Sequence, residues 1–178
     1  MSLQNLRANQ ITQKGAKQLA LALKPTEKGG PTASNAHLKE LDLFDNRIAD
    51  IGGKALAEML KKNKSLVSLH IGSNQLGDNS AKLLGCALTT NEHLTELNMR
   101  ANGLTSRGVA ALAEGLRENS SLKSLNIRWN EAEVRRRQRR NSPRARGLAD
   151  QWLRSLLRIF ALASCRTRER LSWRRCCE

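Results

Sequence analysis

The chain has no apolar run of the roughly 20 residues that cross a bilayer, which argues against a membrane-spanning segment. Its start, MSLQNLRANQ, lacks the charged-then-apolar pattern of a secretory signal, so a cytoplasmic protein is expected. The four cysteines, Cys86, Cys165, Cys176 and Cys177, form no paired framework, and the last two are adjacent. They are expected to be reduced thiols in the cytosol or nucleus. No spacing of His with Cys suits a metal, and no glycine-rich loop of phosphate-cradling spacing is present. The sequence therefore implies neither metal nor cofactor. Lysine is also missing from the C-terminal quarter. All 11 Lys precede residue 131, and every basic residue after it is Arg. The net charge of +15 is divided unevenly: residues 1–130 carry 17 Lys and Arg against 11 Asp and Glu, whereas residues 131–178 carry 14 against 5. Two compositions meet near Asn130.

What is there is a repeat. Leu38, Leu41, Leu43, Asn46 and Ile48 return as Leu66, Leu69, Ile71, Asn74 and Leu76, then as Leu94, Leu97, Met99, Asn102 and Leu104, each set 28 residues after the last. A truncated unit opens at Leu122, Leu125, Ile127 and Asn130. A fixed period of this size is the signature of a solenoid. Within each unit the Leu pair alternates around one polar residue, as in a short strand. Apolar and small residues then follow at helical spacing: Gly53, Leu56, Ala57 and Leu60; Ala81, Leu84, Gly85 and Leu88; Val109, Leu112, Ala113 and Leu116. A small residue at Gly15, Gly52, Ser80 and Gly108 is expected to permit a tight turn before each helix, where the backbone packs closely. The recurring Asn46, Asn74, Asn102 and Asn130 are expected to form a ladder bonding the turn backbone of neighbouring coils, because a buried amide is costly unless satisfied.

Residues 1–23 fit the same register as a partial repeat, through Leu6, Asn9, Ile11, Gly15, Ala16, Leu19, Ala20 and Leu23. Met1 and Gln4 stand where Leu is expected. Two readings stand: residues 1–6 make an irregular first strand, or the chain is part of a longer array. Residues 24–37, with Pro25, Gly29, Gly30 and Pro31, read as an inserted loop.

The pattern LxxLxLxxNxL resembles the leucine-rich repeat family, and the 28-residue unit with its G-x-x-x-L-A-x-x-L helices looks like the ribonuclease-inhibitor-type subclass, which includes the repeat domains of NOD-like receptors. The resemblance implies an α/β fold, a right-handed βα solenoid forming part of a horseshoe, with strands concave and helices convex. It implies a non-enzymatic scaffold that binds a protein partner on the concave face. On that face the row Asp42, His70, Asn98, Asn126 is polar, and the row Phe44, Gly72, Arg100, Arg128 runs from apolar to basic. Aromatic and Arg side chains are favoured interface anchors, so Phe44, Arg100, Arg128 and Trp129 join Asp42, His70 and Asn98 as candidate partner-binding residues. Asp42 and His70 are also in reach of one another across adjacent strands. They lack a nucleophile and a third orienting group, so a structural ion pair, or no contact at all, is favoured over acid–base chemistry. His37 and His93 read as turn residues. Cys86 takes the helix position of Glu58 and Glu114 and is expected to be partly exposed.

Beyond Asn130 the repeat fails. Arg136, Arg137, Arg140 and Arg144 fall where other units place Leu and small residues, and Arg cannot fill a core unpaired. The cluster Arg135, Arg136, Arg137, Arg139 and Arg140 suits nuclear import, nucleic acid or anionic lipid. A basic nucleic-acid-associated protein acting through this tail, with nuclear localisation, is therefore the alternative function. Residues 148–163 repeat the helical spacing through Ala149, Trp152, Leu153 and Leu156, which suits a helix capping the solenoid or, alternatively, one lying on a membrane surface. The abrupt change also suits translation past a splice site or in a shifted frame, in which case the tail carries no evolved role.

Overall fold

The computed structural model describes residues 2–25 and 37–131. The basic cluster at 135–140, the helix expected at 148–163 and most of the inserted loop lie outside the described residues.

Strand and helix alternate as the two periodicities require. The order is β1 (Ser2–Asn5), α1 (Gln13–Leu23), β2 (Leu38–Asp42), α2 (Ala49–Lys62), β3 (Ser68–His70), α3 (Asp78–Leu88), β4 (Glu96–Asn98), α4 (Ser106–Glu118) and β5 (Ser124–Asn126). All neighbours in the five-stranded sheet are parallel, and the strands lie in sequence order. A parallel return needs a crossover, which each helix supplies. The 28-residue period sets the register directly: Glu40, Ser68, Glu96 and Ser124 stand side by side, followed by the Leu41 row and then the Asp42 row. The partial first repeat contributes a true strand. Gln4 pairs with Leu41, and the register slips between Ser2 and Leu3. Gln4, an amide at an inward position, stays exposed at this end of the sheet.

Between sheet and helices lies one continuous core. Leu41, Leu43, Ile48, Leu56 and Leu60 are buried, as are their counterparts in the next coil. Each such side chain contributes about 1.5–3 kcal/mol by leaving water. At the last coil Leu122, Leu125 and Ile127 are only partly buried.

The expected asparagine ladder is present. The Asn46 Oδ1 accepts from the Asn9 and Ile11 amides, the Asn102 Oδ1 from Asn74 and Leu76, and the Asn130 Oδ1 from Asn102 and Leu104. Each Nδ2 returns a bond to strand carbonyls, as Asn102 does to Ile71 at 3.1 Å and Met99 at 3.0 Å. One acceptor breaks the series: the buried Asn74 Oδ1 has no partner. The preceding turn explains it. Gln10 and Gln75 follow their ladder asparagines in left-handed conformation, whereas in the second coil the left-handed residue is Ala49, at φ 52°, not Arg47.

A second ladder occupies the opposite edge of the coils. Asn63, Asn91 and Asn119 each donate to a carbonyl at the end of the preceding helix, Leu23, Leu60 and Leu88 respectively. Each Oδ1 also accepts from the amides that begin the next strand, including Leu66, Leu94 and Leu122. The helix starts are tied across coils as well. Asp50 accepts from the Gly77 amide at 2.8 Å and from the Ser80 hydroxyl, and Asp78 accepts from the Thr105 amide at 2.8 Å. A carboxylate at a helix N-terminus satisfies unpaired N–H groups and favours the dipole.

Two expectations need correction. Gly15, Gly52, Ser80 and Gly108 lie inside the first turn of their helices, not in a turn before them. Coils touch at Gly52, Ser80 and Gly108: a Cβ on Gly52 would lie 3.0 Å from the Ala16 Cβ, and one on Gly108 would lie 2.9 Å from the Asp78 Cα, whereas one on Gly15 would meet Ile11 of its own coil. Cys86 is not exposed. It is buried, its short side chain held close to α3 where Glu58 and Glu114 reach outward.

Candidate functional site

The solvent-facing side of the sheet consists of rows of side chains, one residue from each coil, alternating with the buried Leu rows. The middle row is Asn5, Asp42, His70, Asn98 and Asn126. Four of its five residues turn a side-chain oxygen back on the chain. The side chains of Asn5, Asp42, Asn98 and Asn126 each accept from the amide two residues on, at 2.9–3.2 Å. These bonds shape the strand exits, a role that the sequence reading of Asp42 and Asn98 as partner contacts did not include.

His70 is the exception in its row. Its Nε2 lies 3.0 Å from the Ser68 Oγ and 3.5 Å from the Glu96 Oε1, and the Ser68 hydroxyl is 3.4 Å from Glu96 Oε2. Asp42 and His70, within reach of one another in register, do not pair. Asp42 instead lies 3.9 Å from the Arg7 Nε, because the Asp42 carboxylate is already turned toward its own strand exit by the Phe44 amide. The serine, histidine and glutamate are the residue types of a nucleophilic relay, but the geometry is wrong for one. Serine and carboxylate both approach Nε2, whereas a relay places them on opposite ring nitrogens. Among the described residues, no group of three or more His, Cys, Asp or Glu could hold a metal ion.

The row at the strand exits is Arg7, Phe44, Gly72, Arg100 and Arg128. Phe44 is half-buried and held from several directions. The Arg7 guanidinium carbon stands 4.6 Å from the ring centroid and that of Arg100 5.2 Å. Gly72 provides the bare backbone on which the ring rests, since a Cβ there would come within 2.8 Å of two ring carbons. Sequence reasoning singled out Phe44 and Arg100 and allows Ser68 and Glu96 an outward place on their strands, but missed Arg7. The register was the available signal: Arg7 is one residue after Leu6 just as Phe44 is one after Leu43.

Beyond this row, the residue preceding each ladder asparagine is left-handed without being glycine: Ala8, Asp45, Ser73, Ala101 and Trp129, at φ 53–63°. The first four line an open groove of about 760 Å³ along the turns. Trp129 continues their series and is 65% exposed. The structure thus brings Phe44 and Arg100 together, places Arg128 one coil further along and leaves Trp129 on the adjacent turn. No described helix is long and apolar enough to cross a membrane.

Comparison with known proteins agrees with this geometry. The family model described as Leucine Rich repeat matches residues 34–57, 62–85, 90–113 and 118–131. Among solved structures, the chain is similar to one titled "Leiomodin-1 Actin-Binding Site 2 (ABS2)", with 25% identity and a TM-score of 0.61 over 90% of this chain and 88% of that one. It is also similar to the tropomodulin C-terminal domain of Caenorhabditis elegans, with 19% identity and a TM-score of 0.59 over 90% of each chain. The latter likeness bears on fold alone. No curated protein sequence matches the chain.

Proposed function

The repeats of residues 34–131 belong to the leucine-rich repeat family, and from that premise we propose that the chain is a non-enzymatic, cytoplasmic scaffold that binds a protein partner on the concave face of its sheet. The observation that carries this reading is the strand-exit row, where an aromatic ring is fixed between two guanidinium groups on a solvent-facing surface. Rigid aromatic and Arg groups are the residue types that dominate interface energetics. Phe44, Arg100, Arg128 and Trp129 are the anchors of the proposed face, and Asp42, His70 and Asn98 form its polar middle. The 28-residue unit and its small, leucine-containing helices support the ribonuclease-inhibitor-type subclass.

The partner to test first is actin, because the leiomodin-1 structure is titled as an actin-binding site. The experiment is titration of actin with the full chain, its Arg100→Glu variant and its Lys54→Glu variant, Lys54 being exposed on α2 away from the sheet. Binding weakened about tenfold or more, a change of about 1.4 kcal/mol, by Arg100→Glu and left unchanged by Lys54→Glu supports the reading. The reverse pattern contradicts it. No observation on the described residues favours the nucleic-acid reading of the tail.

A further inference from the structure

We propose that the strand-exit row is a clamp for an acidic, extended segment of the partner, with Arg7 and Arg100 each gripping a carboxylate on either side of the Phe44 ring. This rests on the concave-face reading and names the chemistry that the face selects. Arg7 approaches the ring from the β1 side and Arg100 from the β4 side, both within stacking distance of its centroid. Stacking engages the flat face of a guanidinium and leaves its in-plane N–H groups free to bind a carboxylate through two parallel bonds. The ring also fixes two long side chains in advance, reducing the ordering cost that binding otherwise incurs. Gly72 makes this arrangement possible by leaving the ring a floor of backbone.

Charge balance points the same way. Arg7 shares Asp42 at 3.9 Å, but Arg100 and Arg128 have no ion pair among the described residues. Neither guanidinium has a direct counter-ion on neighbouring coils among the described residues. The adjoining rows carry Glu40, Asp42 and Glu96. A nucleic-acid strand, anionic along its whole length, would be repelled there. A peptide is not so constrained, because an extended chain alternates its side chains and can present an acidic edge to the arginines alone.

The test uses the full chain with Arg135, Arg136, Arg137, Arg139 and Arg140 changed to Gln, so that the tail does not attract the probe. The probe is a fluorescein-labelled peptide with Glu at every second position, compared with the same peptide carrying Gln, and with a single-stranded oligonucleotide as competitor. The Glu peptide is expected to bind and the Gln peptide not to. Changing Arg7 and Arg100 together to Gln should weaken binding about tenfold. Phe44→Leu, which keeps every charge, should weaken it severalfold, with circular dichroism confirming that each variant remains folded. Glu-peptide binding that ignores both variants overturns the clamp, as does an oligonucleotide that displaces the peptide from the row. If a protein partner still binds the concave face while the Glu peptide does not, the clamp is wrong and the concave reading stands; if partner binding maps to the outer helices, the concave reading is wrong.

Discussion

At the scale of single residues, the asparagine ladder does the most specific work. Asn102 is buried, and its amide satisfies two amides of one coil and carbonyls of two. Removing it strands those groups away from water, and each unsatisfied buried polar group costs about 1–3 kcal/mol. Asn102→Ala is therefore expected to lower stability by about 2–4 kcal/mol in urea unfolding. Asn74→Ala should cost measurably less, because the Asn74 Oδ1 holds no bond to lose; equal losses would contradict the structure. The left-handed positions give a change of opposite sign. Ala101 sits at φ 55°, where a Cβ is disfavoured and glycine is at ease. Ala101→Gly is expected to raise stability by about 0.5 kcal/mol in the same assay. Spacing alone made the first ladder legible. The second, Asn63, Asn91 and Asn119, was equally periodic yet went unread, since its asparagines sit in helix-to-strand loops outside the Leu pattern.

At the scale of elements, helix packing was visible in sequence as small residues at helical spacing, but the neighbour that each one touches was not. A small residue can serve a turn or a close contact, and only the neighbouring coil distinguishes the two. Gly115 shows the contact case most clearly, since a Cβ there would lie 2.6 Å from the Gly85 Cα and press on backbone that cannot rotate away. Gly115→Ala should therefore separate α3 from α4 and destabilise the chain by about 1–3 kcal/mol, although alanine has the higher helix propensity. A neutral or stabilising result in thermal unfolding would show that the two helices stand further apart. The caps were hidden for a related reason. Asp50 and Asp78 serve the helix of the following coil, whereas capping signals in sequence are read within one helix.

At the scale of the whole molecule, the 28-residue period determines strand order, register and the composition of each surface row, so most of the candidate face could be enumerated before any coordinates. What could not be enumerated was how side chains pair within it. His70 turns to Ser68 and Glu96 instead of Asp42, and Phe44 is held between two arginines. Those choices depend on side-chain reach and local hydrogen bonding, which a repeat pattern does not encode. The central claim is that this face, and not the outer helices, meets the partner. Its most direct measurement is hydrogen exchange of the full chain with and without saturating actin. Slowed exchange in peptides spanning β2 to β5 and their exits, centred on residues 96–101 and 124–129, with α2, α3 and α4 unchanged, is the predicted result. Protection confined to the exposed sides of those helices, or to residues 132–178, would contradict it.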